Sequence, residues 1–279
     1  MLKLRNSWAL IKASAGVLRA DKELIVFPII SAIGVLIVTL TFAFPMMLAG
    51  MFDSLLAGKS RAFGFIVGFA FYVIQYTVII FANSALVGAA MIRLRGGDPT
   101  VADGFRIAMK HIGSILLYAL ISATVGTILR WISERNNMLG RIVASIVGMA
   151  WNLATYLVVP ILVVEGVDPM TAIKRSASLL KQTWGEQIAG NFGIGAISGL
   201  LTLVVFLLAI PAIFFAIATE SVVLVAFVVL TLVLVVTFIS LISSALNGIY
   251  IAAVYRYAAE GESSGFFSEE MVQEAFRVK

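Results

Sequence analysis

The chain has 279 residues, 61% of them apolar and only 13% charged, with a formal net charge of +5. Soluble domains carry far more charge and less apolar residue, so composition alone places the chain in a membrane. It has no cysteine and one histidine, His111, which excludes disulfides, thiolate metal sites, cysteine nucleophiles and histidine metal clusters.

At the N-terminus, Lys3 and Arg5 are followed by Lys12, Arg19 and Lys22, so no clean apolar core sits behind the first charges. This predicts a retained helix and not a cleaved signal peptide. Within it "IKASAGVLR", residues 11–19, has an apolar stripe of Trp8, Ile11, Ala15 and Leu18 flanked by Lys12 and Arg19. A charge-free stretch at 24–52 follows, long enough to cross a bilayer, which takes roughly 20 apolar residues. The second, at 62–92, carries Gln75 and Asn83, and a Gly64–Gly68 pair whose spacing suits close helix packing. Next comes "IRLRGGDPTVADGF", in which Asp98 and Pro99 read as a helix start leading into a face of Val101, Phe105, Ala108 and Ile112.

The third span, 112–129, is the shortest and extends through Trp131 and Ile132 if the Arg130 side chain snorkels. The fourth, 142–164, holds Asn152 and Pro160, and ends in "VVEGVDPMTAIKRS", where Asp168 and Pro169 open a second helix of the same kind. Here "IKRSASLLK", residues 173–181, repeats the opening phrase, with Ile173, Ala177, Leu180 and Trp184 as its apolar stripe and Lys174 and Lys181 beside it. Glu165 and Glu186 flank this helix and are expected to pair with Arg93, Lys174 or Lys181. The fifth span, 187–219, includes Asn191, Pro211 and a Gly195–Gly199 pair; the sixth, 221–255, includes Asn247. Pro28, Pro45, Pro160 and Pro211 are expected to bend their spans. In the tail, Ser268 reads as a cap, with Glu269 and Glu270 suited to a helix start.

Fifteen of the 20 Lys and Arg lie in the N-terminal segment, the loops after spans two and four, and the C-terminal tail. Positive charge marks the cytoplasmic side, so both termini are expected in the cytoplasm of a prokaryotic inner-membrane protein. The same charge is accounted for by anionic lipid, without nucleic acid.

The predicted fold class is an all-α integral membrane protein of six transmembrane helices with cytoplasmic interfacial amphipathic helices. It forms one membrane domain over 1–279. An interfacial helix plus two spans repeats three times, over 1–97, 98–167 and 168–261, with 262–279 as an amphipathic tail. Parallel repeats of this kind imply a pseudo-threefold axis along the membrane normal. Asn83, Asn152 and Asn247 precede Asp98, Asp168 and Glu262 by 15, 16 and 15 residues. A rival phasing aligns "SALVG" from Ser84 with "SALNG" from Ser244 and pairs Asn83 with Ser243.

"SWALIKASAGVLRADKELIVFP", "NSALVGAAMIRLRGGDPTVADGF" and "PILVVEGVDPMTAIKRSASLL" together resemble a family of uncharacterised prokaryotic six-span membrane proteins over nearly the whole chain. The last also resembles the membrane domain fused to some glycerophosphoryl diester phosphodiesterases. What that resemblance implies is a fold and a location; the activity belongs to a separate soluble domain that no segment here could form.

No phosphate loop, metal motif or nucleophile with a base is present, so no catalytic residue, cofactor or metal ligand is assigned and no enzyme is expected. Polar groups inside a membrane are the pointers to function. Asn83, Asn152 and Asn247 form the candidate intramembrane polar site, with interhelical hydrogen bonding as the bland reading. Lys12, Arg19, Lys174 and Lys181 are the candidate lipid-headgroup contacts. The function expected is a non-enzymatic scaffold or subunit of a membrane assembly, presenting its interfacial helices at the cytoplasmic face, with a second copy or another membrane protein as partner; the alternative is a transporter or channel for a small or lipid-like substrate, and an intramembrane lipid enzyme ranks last because no acid and base pair is evident.

Overall fold

In the computed structural model the described residues are 2–48, 61–134, 138–184, 193–263, 265–269 and 272. Among them the regular structure is entirely helical, and six helical segments are long and apolar enough to cross a membrane. The helices are α1 (Leu2–Ala20), α2 (Val26–Leu48), α3 (Arg61–Leu94), α4 (Val101–Lys110), α5 (Ile112–Glu134), α6 (Met138–Ala154), α7 (Val158–Val164), α8 (Pro169–Trp184), α9 (Gly193–Ala218) and α10 (Val222–Glu260). A single 3-10 turn, Lys22–Ile25, joins α1 to α2. Spans one to six are therefore α2, α3, α5, α6 with α7, α9 and α10. The third span reaches Glu134, past Arg130, as its flanking apolar residues predict.

The buried core lies at one end of the bundle, where α1, α4 and α8 cover the ends of the spans. It is built from Ala85, Leu86 and Val87 of α3, Leu157, Ile161 and Leu162 around α7, and Ile249, Ala252 and Val254 of α10. The even-numbered spans thus meet in the middle. Each short helix packs on one of them: α4 on α3, α8 on α7, α1 on α10. Toward the other end the helices present exposed Leu, Ile, Val and Phe, such as Phe65, Leu208 and Phe227, which is the surface a bilayer covers.

Polar ties lock the covered end. The Arg93 guanidinium donates to Asp98 Oδ1 (2.9 Å) and to the Ala20 carbonyl (3.2 Å). Arg256, almost fully buried, donates to the Leu94 carbonyl and to Glu262 Oε2 (2.7 Å), while Arg95 pairs with Glu260. Spans two and six are bound together by this cluster. All three even spans end at a glycine with positive φ, Gly96, Gly166 and Gly261, the left-handed conformation that closes a helix and that side chains disfavour.

Several sequence expectations change here. The α4 helix is capped by Thr100, whose hydroxyl accepts from Asp103 N–H while Asp103 accepts from the Thr100 N–H; Asp98 serves Arg93 instead. Asp168 does cap α8, its Oδ1 accepting from Met170 and Thr171 N–H at 3.0 and 3.1 Å. Both Asp103 and Asp168 have lowered pKa values, with hydrogen bonds from Thr100 and Thr171 as the first cause. The buried face of α1 is Leu10, Ala13, Ser14 and Val17, and that of α8 is Ala172, Ser176, Leu179 and Leu180. Each is turned from the predicted stripe: Trp8 and Ala177 are exposed, and Ile11 and Ile173 only partly covered. The reason is that these helices lie on protein at the bundle end, so small residues face inward where backbones approach.

Pro28 and Pro160 fall in the first turns of α2 and α7, where a missing N–H costs nothing, and Pro45 and Pro211 are accommodated inside continuous helices. Span four instead breaks at Thr155, Tyr156 and Leu157, just before the turn that holds Pro160. A Cβ on Gly68 or Gly199 would meet nothing within 4 Å, so neither marks a close helix contact; Gly34, Gly88, Gly104 and Gly248 do. Glu165 pairs with Arg175 (3.5 Å) and accepts from the Tyr255 hydroxyl (3.1 Å), not with the predicted cations. Glu186 and Asn191 lie outside the described residues.

Candidate functional site

Above the packed core, midway along the spans, a cavity of about 750 Å³ opens between spans two to six. Asn83 comes to it from α3, Asn152 from α6 and Asn247 from α10. Each of these helices belongs to a different even span, so the central position of those spans is what aims three amides into one space. The helix period does the rest: Tyr76, Ile79 and Ile80 precede Asn83 on the same face of α3, and Ser243, Ser244, Tyr250 and Ile251 surround Asn247 on α10. Between the asparagines and the covered end, Leu86, Ile161 and Val254 are fully buried in the core.

Asn83 is half-buried, and Asn152 and Asn247 are exposed. Among the described residues, no side-chain hydrogen bond is made by Asn83, Asn152 or Asn247. An unpaired amide in the middle of a membrane costs energy unless something in the space bonds to it. Around them stand hydroxyls: Ser198 and Ser243, bonded to each other across spans five and six (2.7 Å), and Tyr118 beside Thr155 and Ser122. Trp151 and Tyr156 supply aromatic wall. Among the described residues the lining contains no Asp, Glu, Lys, Arg or His. The nearest cation along the chain, Arg130, adjoins the lining residue Leu129, but its guanidinium is engaged by Glu134 (2.7 Å) and the Tyr72 hydroxyl (2.6 Å).

The walls are uneven. Span three packs along span two and span five along span six, yet among the described residues spans four and five share no substantial contact. That seam is bordered by Gly148, Trp151 and Asn152 on one side and Ser198 on the other, all of them cavity lining.

Gln75 lies outside the cavity lining; its amide nitrogen donates to Thr39 Oγ1 (3.0 Å), tying spans one and two. His111 sits at the end of α4 against Gly166, and burial lowers its pKa. The four basic residues of the repeated phrase, Lys12, Arg19, Lys174 and Lys181, are exposed and form no ion pair among the described residues; the Lys12 ammonium lies 5.8 Å from the Trp8 ring centroid. No cluster of three or more metal-ligating side chains occurs among the described residues.

The common offset singles out the asparagines in the sequence, and all three line this cavity; the hydroxyls and tyrosines beside them are not singled out, because Ser, Thr and Tyr are frequent in spans and carry no spacing signal of their own.

Six helical segments long and apolar enough to cross a membrane are those of a multi-pass α-helical membrane protein. Residues 62–266 match a family of unknown function (DUF6159), and the chain belongs to that family. No curated protein and no solved structure matches it. The resemblance of its second half to the membrane domain of glycerophosphoryl diester phosphodiesterases therefore finds no support in the comparisons.

Proposed function

We propose that this protein takes a small polar or amphiphilic molecule into the cavity between its spans, acting as a transporter and not as an enzyme. The observation that carries the reading is the convergence of three unpaired asparagine amides on one cavity. Amides and hydroxyls bind polar groups but are poor acids and bases, and among the described residues the lining offers no carboxylate or imidazole for proton transfer. A scaffold would be better served by a filled core, since each unpaired amide lowers stability. The assembly reading retains one support, the exposed basic faces of α1 and α8.

The pseudo-threefold repeat is part of this proposal. Its support is the cyclic packing of α4, α8 and α1 on the three even spans and the positive-φ glycine that ends each of those spans. We place the covered end in the cytoplasm of a prokaryotic inner membrane, with Lys12, Arg19, Lys174 and Lys181 at anionic headgroups, on the strength of the charge asymmetry.

The test is reconstitution. Liposomes holding the wild-type chain and the triple variant Asn83→Leu, Asn152→Leu, Asn247→Leu are compared for release of a panel of small polar and amphiphilic solutes. Flux of at least one solute above empty liposomes, lost in the triple variant while its thermal midpoint holds, is the expected result. Equal flux for the two proteins would remove the cavity from the mechanism. A defined stoichiometric partner recovered with both proteins, without flux, would return the assembly reading.

A further inference from the structure

We propose that the cavity receives the uncharged, hydroxyl-bearing head of a neutral lipid drawn from the surrounding bilayer. This rests on the reading of the cavity as a binding site and adds the class of its occupant.

Charge decides the first half. Among the described residues the lining has no cation to neutralise a phosphate and no carboxylate to neutralise an ammonium, and Arg130 is already held by Glu134 and Tyr72. An ion moved into such a space gives up its hydration without receiving a counter-charge, whereas a hydroxyl gives up only hydrogen bonds that the site can replace. Each asparagine amide offers two donors and a carbonyl acceptor, and Ser and Tyr hydroxyls do both, so the set matches a group that also donates and accepts. Three amides from three helices can meet a head carrying more than one hydroxyl from different directions. Trp151, Tyr156 and Val159 provide the apolar wall along which the carbon skeleton of such a head, and the start of its chain, can lie.

The seam decides the second half. A solute from water would need an aqueous mouth, and toward the covered end the bundle is packed core, with Leu86, Ile161 and Val254 fully buried. Among the described residues the side between spans four and five is where the bundle lacks substantial helix contact, and its borders, Trp151 and Asn152 on one side and Ser198 on the other, belong to the cavity itself. Lipid in the membrane plane reaches polar groups through that side without crossing water, and its tail can remain in the bilayer.

The experiment uses the full chain in phosphatidylcholine nanodiscs, with Trp8, Trp131 and Trp184 replaced by Phe so that Trp151 is the only fluorophore of its kind. Three chain-brominated quenchers are added at equal mole fraction: a monoacylglycerol, the lysophosphatidate with the same chain, and phosphatidylcholine as the bulk-lipid baseline. Expected is several-fold stronger quenching by the monoacylglycerol than by the other two. Its excess should be lost in Asn83→Leu, Asn152→Leu, Asn247→Leu and unaffected by free glycerol in large excess. Preferential quenching by the lysophosphatidate, lost in the same variant, overturns the neutral head while leaving the cavity as a binding site. Displacement by free glycerol overturns the lipid source. Quenching at baseline for both probes, or an excess that survives in a variant with unchanged thermal midpoint, overturns this inference, while the cavity reading is decided separately by the solute flux of the same triple variant.

Discussion

Gly104 and Asp21 illustrate how far a single position can set local stability in this bundle. A Cβ built on Gly104 would stand 2.4 Å from Phe27 Cζ and 2.7 Å from the Ala85 carbonyl oxygen. The ring can swing but a helix carbonyl cannot, so Gly104→Ala must push α4 away from α3 and is expected to cost about 1–3 kcal/mol. Gly68→Ala, with open space around it, should change the midpoint little; both are read by thermal unfolding in detergent, and equal midpoints would deny the close approach. Asp21 is 5% exposed, its Oδ1 accepts from the Glu23 N–H at 3.2 Å and its Oδ2 has no partner. Burial raises its pKa, against the Glu23 hydrogen bond and the Arg93 charge. Raising the folded pKa above the unfolded value of about 3.9 means that the folded state binds the proton more tightly. The contribution to stability is then fullest below the unfolded pKa and is lost as pH rises through the folded one. Asp21→Asn keeps the cap and removes the buried charge, so it should raise the midpoint at neutral pH, with the gain vanishing toward about pH 4. A lower midpoint at neutral pH, or a gain independent of pH, would count against this assignment.

At the level of the element, the repeated phrase acquires a second meaning. Ser14 in "IKASAGVLR" and Ser176 in "IKRSASLLK" occupy the same place in the phrase and both are fully buried. The Ser176 hydroxyl accepts from the Leu157 N–H at 3.0 Å, at the break between α6 and α7. A break inside a span strands backbone donors where water cannot reach them, and a side chain from the helix packed alongside takes up one of them. Ser176→Ala should therefore cost about 1–3 kcal/mol, the usual penalty for an orphaned buried donor. The break itself should also loosen, seen as faster amide exchange confined to 155–159. Unchanged exchange with unchanged stability would make the bond incidental. None of this could be read from the chain: the stripe chosen from periodicity was the most apolar one, whereas helices crossing near other backbones turn their small residues inward, and Ser14, Ser176 and Gly104 look like weak signals until a neighbour is known. The spans, by contrast, were legible almost to their ends, because twenty consecutive apolar residues have few other uses. The asparagines stand out as a set through their offset from Asp98, Asp168 and Glu262, of which only Asp168 caps a helix, and nothing in the letters indicates that they line one cavity, which depends on three helices meeting.

For the molecule as a whole, the distribution of basic residues should fix how it sits in the membrane. Four of the cations that set the charge asymmetry, Lys12, Arg19, Lys174 and Lys181, project from the exposed faces of α1 and α8 with no ion pair among the described residues, so their favourable partner is the anionic lipid surface. Near such a surface each contributes about 1 kcal/mol, and reversing it adds repulsion. Replacing all four by Glu leaves eleven of the fifteen basic residues on that side and adds four acids there, which erodes the asymmetry that orients the spans without touching the cavity or the Arg256 cluster. Because the chain has no cysteine, Ser263→Cys provides a unique reporter at the covered end. In intact cells a membrane-impermeant maleimide should leave it unlabelled in the otherwise wild-type chain. Partial labelling is expected in the charge-reversed chain, alongside reduced insertion. If the reversed chain inserts with the same yield and stays equally protected, those cations do not anchor the bundle, and the exposed faces of α1 and α8 become free for a partner of opposite charge, as the assembly reading would have it.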